Sequence, residues 1–360
     1  MKKKMFFKHI TYVFILATAV ALSAADCVFI DRYDIMQTDE EGRQLNSVKA
    51  GSPMTFSVVG HLEPRTTDNN GVTSKLVFAM LAPKDWDVAH QAKVTYKTGY
   101  HDDPEEELSM SVIPESQLPK NGEGRTWAQC LTSDYGVGPN VLDDMEWIVF
   151  QTDKTWVVRN NEDKPFYIFV RTRAGQRNLK CKLGFFINHT DDGFSGGTDH
   201  RKVVFANDCF EVTGGKGMTI DFCNRHFNRL SPLTALQNDY VTISYQADVD
   251  PSVSSNPLAA TDEIYLQGKA VTVSGKTYDA PAIGAQTLMR RQSNLGRSFS
   301  LTIWPAGFFN VPTDEIIDHI DYYFSNADGS AIVNQSTDDK VQLGASDGDD
   351  TPFNLKLECE

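Results

Sequence analysis

Short runs in which apolar and polar residues alternate recur along this chain, and they limit its fold more than any other feature. In Ser298–Ile303 the apolar residues alternate with Ser and Thr. Alternation with a period of two places one side of a strand in a core and the other in water. Residues 320–325 repeat the pattern, and turn-forming residues follow at 326–329. These runs predict an all-β protein.

Similar runs, separated by Gly, Pro, Asn and Asp, fill both halves of the chain. They cover residues 54–59, 76–81, 108–113, 147–150, 166–173, 179–188, 202–205, 241–247 and the hairpin 271–278. Only 127–135 and 314–319 have the apolar spacing of one or two helical turns. Regular short strands without intervening helices predict tandem β-sandwiches of the immunoglobulin-like kind.

The first residues carry the features of an export signal. Lysines at positions 2, 3, 4 and 8 precede an apolar run at 12–22, and small residues at 23–25 suit cleavage. The apolar run is shorter than the roughly 20 residues that a membrane span needs. We therefore predict a signal peptide at 1–25 and an exported protein at the cell surface, at the outer membrane or in the periplasm.

Cys27 stands where a bacterial lipoprotein would carry its lipid, but Asp26 replaces the small residue usual before such a cysteine. Lipidation of Cys27 and a soluble exported form are both open. A lipid anchor is the only membrane attachment that the sequence predicts.

The length of the mature chain indicates two domains, because the 335 residues left after removal of 25 from 360 exceed a usual single sandwich. Glycines at 214, 215 and 217 interrupt the strand pattern at 213–217. We therefore predict an N-terminal β-sandwich of residues 26–213 and a C-terminal β-sandwich of residues 218–360.

The charge of the chain argues against a nucleic-acid partner. Lys and Arg number 34 against 48 Asp and Glu, and loss of the four signal-peptide lysines gives 30 − 48, or −18. Such a surface repels phosphate backbones. Phosphate-loop and dinucleotide motifs are also absent from the sequence, so we predict no cofactor and no enzyme.

Six cysteines in an exported chain make disulfides plausible. We predict a bridge between Cys223 and Cys359, at the first and last strands of the C-terminal domain; buried free thiols are the alternative. The cysteine spacing does not indicate zinc. Asp191, Asp192 and Asp199 are weak Ca²⁺ candidates, and a solvated acidic loop without metal is the favoured interpretation.

Several segments carry a resemblance to known families. Residues 81–86 (LAPKDW), 143–150 (DDMEWIVF), 183–186 (LGFF), 191–193 (DDG) and 208–215 (DCFEVTGG) resemble an uncharacterised secreted Bacteroidetes family, a numbered domain of unknown function. Residues 262–266 (DEIYL), 304–305 (WP), 308–309 (FF) and 322–329 (YYFSNADG) are similar to modules of SusE/SusF-like glycan-binding lipoproteins.

This resemblance implies a role in polysaccharide utilisation. It implies a non-catalytic, secreted or surface protein whose C-terminal domain resembles a carbohydrate-binding module. The implied partners are a polysaccharide or oligosaccharide and outer-membrane proteins of glycan uptake.

Glycan binding needs exposed aromatic rings beside planar polar groups, because the CH faces of sugars pack on rings while hydroxyls need hydrogen bonds. Trp304 and Tyr323 fall on the polar side of their strands, with Arg297 and Asn326 close in sequence. Trp86 lies in a polar loop. These five residues are our candidate glycan ligands; the alternative is packing, over the rim of the sandwich for Trp304 and within the fold for Trp86.

Two other functions stay open. A glycosidase needs two carboxylates at a set separation, and Glu146 beside Trp147 is the first acid to test for such an Asp/Glu pair. An adhesin or assembly subunit would instead bind a protein partner without dependence on sugar.

Overall fold

The structure is a computed structural model that describes residues 27–37, 45–64, 71–194, 201–344 and 350–358. The predicted signal peptide, Asp199 and Cys359 lie outside these ranges. Strands hold 44% of the residues and helices 10%, which confirms the all-β prediction. Within the described ranges, no helix is both long and apolar enough to cross a membrane.

Strands dominate the N-terminal part of the chain. They are β1 (Cys27–Ile35), β2 (Ser47–Lys49), β3 (Pro53–Glu63), β4 (Val72–Ser74), β5 (Leu76–Pro83), β6 (Lys93–Thr98), β7 (Leu108–Val112), β8 (Met145–Thr152), β9 (Trp156–Val158), β10 (Lys164–Arg173), β11 (Arg177–Cys181), β12 (Gly184–His189), β13 (Lys202–Phe205), β14 (Phe210–Thr213) and β15 (Lys216–Asp221). The helices here are α1 (Val88–Gln91) and α2 (Trp127–Tyr135), with a 3-10 turn at Lys84–Trp86.

The C-terminal part is built in the same way. Its strands are β16 (Asn228–Ser231), β17 (Val241–Gln246), β18 (Tyr265–Thr272), β19 (Thr277–Asp279), β20 (Arg290–Arg291), β21 (Ser298–Ile303), β22 (Ile317–Ser325), β23 (Ile332–Val333) and β24 (Phe353–Lys356). Its helices are α3 (Pro305–Phe308) and α4 (Gln335–Leu343), with a 3-10 turn at Ala247–Val249.

The two predicted helical segments behave differently. The helix predicted at 127–135 is confirmed as α2, which begins with a capping box between Thr126 and Gln129. The helix predicted at 314–319 is wrong, because residues from Ile317 onward belong to β22. Alternate residues of β22 pack into the core, and this packing outweighs the weak helical spacing of the sequence.

Two sheets enclose the N-terminal core. Sheet A is antiparallel, with nine strands in the order β1-β3-β10-β6-β7-β8-β5-β12-β13. Sheet B has four, in the order β15-β11-β14-β2. Strands β4 and β9 form a separate pair. One hydrophobic cluster joins both sheets, so this part is a two-layered sandwich.

Trp86 lies at the centre of this sandwich. Its ring stacks at 6.4 Å on Phe56 of sheet A and meets Phe210 of sheet B edge-on at 5.7 Å. The side chain is fully buried. The prediction that Trp86 is a loop residue available to a glycan is therefore wrong, because the 3-10 turn directs the ring into the core while its polar neighbours stay outside.

The alternating run at 179–188 is two strands rather than one. Strand β11 belongs to sheet B and β12 to sheet A, and the chain crosses between the sheets at Lys182. The side chain of Asn140 accepts a hydrogen bond from the Lys182 N–H and donates one to its carbonyl, each at 2.8 Å. These bonds replace the sheet pairing that the backbone loses at the crossing.

The C-terminal part is a second sandwich. Sheet C has the order β16-β17-β21-β20, and sheet D the order β19-β18-β22-β23, with β24 also paired to β22. The inner faces meet where Tyr245 of sheet C contacts Phe324 of sheet D at 5.1 Å between ring centroids. The Tyr245 hydroxyl donates to Asn256 at 2.7 Å, so the buried polar atom is satisfied.

The change from one core to the other falls between Phe222 and Phe227, each of which is buried in its own cluster. Residues 218–220, assigned by the sequence to the C-terminal domain, instead lie in β15 and pair with β11 in sheet B. Within the glycine-rich segment 213–217, only Gly214 and Gly215 form the turn between β14 and β15, and this tight turn lets β15 return to pair with β11 in the same sheet.

A disulfide holds this region, but not the predicted one. The structure joins Cys223 to Cys209, with 6.5 Å between the Cα atoms. The predicted bridge from Cys223 to Cys359 is wrong, because the return of β15 along sheet B brings Cys223 beside the start of β14. Cys130 and Cys181 are buried free thiols.

His226 joins the two sandwiches through two carboxylates. Its Nε2 lies 3.1 Å from Asp221 at the end of β15, and its Nδ1 hydrogen-bonds to Asp338 of α4. Asp338 is itself buried and accepts the Phe227 N–H at 2.8 Å. Burial alone would lower the pKa of His226, but the two carboxylates outweigh it and raise the pKa to about 10.

Replacement of Trp86 tests the N-terminal core. We expect Trp86→Ala to lower the free energy of unfolding by about 3–5 kcal/mol, because it leaves a cavity between sheets A and B. The half-exposed Trp304→Ala is the comparison and should cost less, because its ring packs on one side only. Urea unfolding followed by circular dichroism measures both, and equal losses would contradict the central position of Trp86.

The His226 contacts predict how stability depends on pH. A histidine titrates near 6.5 when unfolded, so the stabilisation is complete below pH 6.5 and is lost as pH rises through about 10. The unfolding free energy of the native chain should fall in this window, by up to about 1.4 kcal/mol per pH unit, relative to His226→Gln. The exposed His90→Gln variant is the control. Parallel pH profiles for native protein and His226→Gln would show that His226 carries no charge in the folded state.

Candidate ligand-binding face

The outer side of sheet C is a row of polar residues set by the packing of its inner side. Val241, Ile243 and Tyr245 of β17 are buried, and so are Phe299 and Ile303 of β21. Because successive side chains in a strand point to opposite faces, the residues between them point outward. These intervening residues are Ser, Thr and Gln.

The outward positions of all four strands of sheet C form one surface, which we call the hydroxyl face. It consists of Arg229, Ser231, Thr242, Ser244, Gln246, Arg290, Ser298, Ser300 and Thr302. The Thr242 and Thr302 hydroxyls lie 2.8 Å apart, and Gln246 donates to Ser298 at 2.9 Å. Cross-strand bonds of this kind orient the side chains while leaving further donors and acceptors for a ligand.

Two exposed aromatic residues continue this face at one end. Val241 pairs with Ile303, so Tyr240 and Trp304 are the next residues outward along the two neighbouring strands. Tyr240 is 72% exposed and Trp304 is 45% exposed. Both positions continue the outward alternation of their strands, so two exposed aromatic residues stand at one end of the hydroxyl face, which we call its aromatic end.

The Trp304 ring is supported from behind by the first turn of α3. A Cβ atom added at Gly307 would lie 2.3 Å from Cε3 of the Trp304 ring, a distance that side chains do not reach. Glycine at 307 therefore permits the ring to rest directly on the backbone. This support holds one side of the ring and leaves the other accessible.

Tyr323 lies on a different surface. Its neighbours Tyr322 and Phe324 point into the core, so Tyr323 points outward from sheet D. Sheets C and D face each other through their inner sides, and their outer sides look in opposite directions. The structure therefore separates Tyr323 from Trp304, although the sequence placed them on one aromatic platform.

Arg297 and Asn326 are occupied by local contacts. Arg297 donates to Asp262 at 3.1 Å and to the carbonyl of Thr261. Asn326 accepts from the Ala331 N–H and donates to Ser330, each at 3.1 Å, within the turn between β22 and β23. These bonds show that both polar side chains stabilise local turns and loops, which explains why polar residues stand at these positions.

A large groove between the two sandwiches adjoins the hydroxyl face. Its volume is about 1280 Å³, and its lining includes Arg229 and Gln246, which also belong to the face. Arg177 lies 3.7 Å from Asp85 in the same groove. Burial raises the pKa of Asp85, and Arg177 opposes this shift. A ligand on sheet C can therefore extend over β16 toward the N-terminal sandwich.

The calcium candidates have protein partners. Asp191 lies 3.6 Å from Lys120, and Asp192 lies 3.0 Å from His189. Asp199 falls outside the described residues. Elsewhere, His61, Glu63 and Asp163 carry ligand-type atoms within 4.8 Å of one another, and His61 already bonds Asp31 at 2.9 Å.

Glu146, the acid chosen for a catalytic test, is half-buried on β8. Burial raises its pKa, while Lys84 opposes the shift. It lies in sheet A, beside Ala82 of β5, and not on sheet C. The structure thus places Glu146 and the hydroxyl face in different sandwiches.

Tyr240 is the residue that sequence reasoning missed. It stands two positions before Thr242, so the period of two already put it on the polar side of β17. It follows Asn238 and Asp239, whose turn-forming character suggested that the strand had not begun. Its position opposite Trp304 depends on the pairing of β17 with β21, which the sequence alone does not reveal.

Together, these features define an all-β protein with two hydrophobic cores and a polar outer face on its sheet C. The chain belongs to the family described as domain of unknown function DUF4961, whose model matches residues 28–226. A second family model, domain of unknown function DUF8578, matches residues 228–333 and thus sheet C. No curated protein matches the chain.

Three solved structures show weak likeness to the chain. The C-terminal domain of the Streptococcus pyogenes antigen I/II-family protein AspA is 10% identical, with 84% of this chain and 95% of that chain covered and a TM-score of 0.28. The major pilin subunit BcpA of Bacillus cereus is 10% identical, covering 92% and 66%, with a TM-score of 0.26. The 35 kDa C-terminal fragment of the Streptococcus agalactiae major pilin GBS80 is 8% identical, covering 90% and 97%, with a TM-score of 0.25. Sequence identities and TM-scores this low carry no information about function.

Fluorescence quenching tests the aromatic end. The other four tryptophans are at most 5% exposed, so acrylamide should quench chiefly Trp304. We expect the quenchable fraction to disappear in Trp304→Phe and to persist in Trp127→Phe. Gly307→Ala should increase it, because the new methyl group displaces the ring from its support. Unchanged quenching in Trp304→Phe would contradict the exposed position.

Proposed function

We propose that this protein is a non-catalytic glycan-binding protein and that its sugar ligand lies on the hydroxyl face, against Tyr240 and Trp304. The observation that carries the proposal is the pair of exposed rings at the end of a face made of hydroxyl, amide and guanidinium groups. Aromatic rings pack on the CH faces of sugars, and these polar groups pair with sugar hydroxyls.

The support of Trp304 by Gly307 adds to this proposal. A ring that already rests on the backbone loses little freedom when a sugar stacks on its open side. The hydrogen bonds between Thr242 and Thr302 and between Gln246 and Ser298 likewise orient polar groups before binding. Preorganisation of this kind favours recognition of a weakly binding ligand such as a neutral hydroxylated chain.

A binding role rather than glycoside cleavage agrees with the composition of the face. Cleavage of a glycosidic bond needs two carboxylates on either side of the bond. Across the described residues of the hydroxyl face, no outward position holds Asp or Glu. A ligand bound there meets donors and acceptors but no general acid.

The cellular setting rests on the sequence. We infer export from the predicted signal peptide at 1–25, and attachment to a membrane only through a lipid on Cys27. The resemblance to SusE/SusF-like modules supports a place in a polysaccharide-utilisation system. The proposed partners are then the glycan itself and outer-membrane proteins that take it up.

Affinity electrophoresis against a panel of plant and host polysaccharides tests the proposal. At least one polysaccharide should retard the full chain, and Trp304→Ala or Tyr240→Ala should restore mobility by weakening binding about tenfold or more. Tyr323→Ala is the matched control, since this tyrosine lies on the outer side of sheet D. Retardation that depends on Tyr323 but not on Trp304 would move the site to sheet D.

The other functions make different predictions in the same experiment. No retardation by any polysaccharide, together with pull-down of a protein neighbour independent of sugar, would replace the proposal with an adhesin or assembly subunit. Release of reducing sugar that Glu146→Gln abolishes would replace it with a glycosidase.

A further inference from the structure

The hydroxyl face differs in charge from the rest of the chain. The whole sequence has 48 acidic against 34 basic residues. At the nine described outward positions of the face there are two arginines, Arg229 and Arg290, and no carboxylate. The aromatic end is uncharged, so the charged side chains on the face itself are both positive.

The two arginines stand in one row across the sheet. Arg229 of β16 pairs with Ser244, Ser244 pairs with Ser300, and Ser300 pairs with Arg290 of β20. Neighbouring strands lie about 4.8 Å apart, so three steps separate the arginine backbones by about 14 Å. Directly opposed residues point to the same side of a sheet, and both guanidinium groups therefore flank the two serine hydroxyls.

Both guanidinium groups are open to a ligand. Arg290 is exposed and forms no ion pair with any residue in the described ranges. Arg229 lies 3.4 Å from Asp143 of the N-terminal sandwich, but the two side chains are 47% and 86% exposed. An ion pair whose two side chains are both exposed to solvent is weak, so Arg229 can exchange the Asp143 carboxylate for a ligand anion.

We propose that the glycan bound by the hydroxyl face is acidic, and that Arg229 and Arg290 hold its carboxylate or sulfate oxygens on either side of Ser244 and Ser300. This inference rests on the proposed function and narrows its ligand from glycans in general to acidic glycans. Guanidinium groups bind such oxyanions through paired, charge-assisted hydrogen bonds. The serine hydroxyls between them pair with the hydroxyls of the intervening sugars.

The spacing of charge favours a glycan over nucleic acid. A nucleic-acid duplex carries one charge for about every 1.7 Å of its axis, whereas this row offers two cations about 14 Å apart. A polyuronate such as polygalacturonate carries one charge on each sugar, so its charges are more widely spaced. Apart from Asp143 beside Arg229, acidic residues more than about 8 Å from the row have little influence there, because their charges are largely screened at physiological salt.

The row and the aromatic end belong to one site. Ser300 precedes Trp304 by four residues, which corresponds to about 13 Å along the strand. A ligand that stacks on Trp304 and also reaches Arg290 therefore spans several sugars. Binding should strengthen with the length of the oligosaccharide until both contacts are made.

Matched polymers test the acidic ligand in the full chain. Polygalacturonate is compared with its fully methyl-esterified form, and dextran sulfate with dextran, by affinity electrophoresis at physiological salt. We expect one acidic polymer to bind more tightly than its neutral partner, and the polymer pair that responds identifies carboxylate or sulfate. Arg290→Gln and Arg229→Gln should each weaken that binding about tenfold or more. Arg32→Gln, an equal change of charge on exposed β1, should leave it unaltered.

The outcomes separate this inference from the function on which it rests. Equal binding of acidic and neutral polymers, with no effect of Arg290→Gln or Arg229→Gln but a loss in Trp304→Ala, would overturn the acidic ligand and retain glycan binding. Equal affinity for a single-stranded oligonucleotide or for polyaspartate would also overturn it, since the face would then select charge alone. Failure of these polymers and of every polysaccharide in the panel to bind would overturn both.

Discussion

The contact of Tyr245 with Phe324 across the C-terminal core is the constraint on which the candidate site depends. This contact joins the inner sides of sheets C and D at 5.1 Å. Because side chains in a strand alternate with a period of two, burial of one side sends every intervening residue to the other. A shift of one residue in β17 would bury Thr242 and Ser244 and expose the core aromatics. The packing of the inner side of sheet C thus determines which residues form the hydroxyl face on its outer side.

The junction between the sandwiches and the binding face are continuous along the chain. His226 is held by Asp221 and Asp338, and β16, which carries Arg229, begins two residues later. The same segment lines the groove of about 1280 Å³ between the two parts. His226 and its two carboxylates lie in the lining of the groove beside sheet C. An extended ligand on the hydroxyl face would reach both sandwiches.

Much of the fold was predictable from the local pattern of apolar and polar residues, and the predictions that failed did so for physical reasons. The strand at 298–303 and the outward side of Trp304 followed from alternation. Trp86 was misplaced because polar neighbours in sequence do not reveal where a ring points, and it proved to be the contact between sheets A and B. The pattern at 179–188 predicts one strand, yet the chain passes from one sheet to the other at Lys182, whose backbone Asn140 satisfies.

The sequence by itself determined the all-β class, the position of most strands and the polar character of one side of sheet C, because alternation is a property of adjacent residues. Only the tertiary structure decided which distant residues meet. It joined Cys223 to Cys209, brought Tyr240 and Trp304 to the same end of sheet C and put Tyr323 on the opposite surface. Such pairings follow from the order in which strands assemble and from how their buried sides fit, and neither is written in any local stretch of the chain.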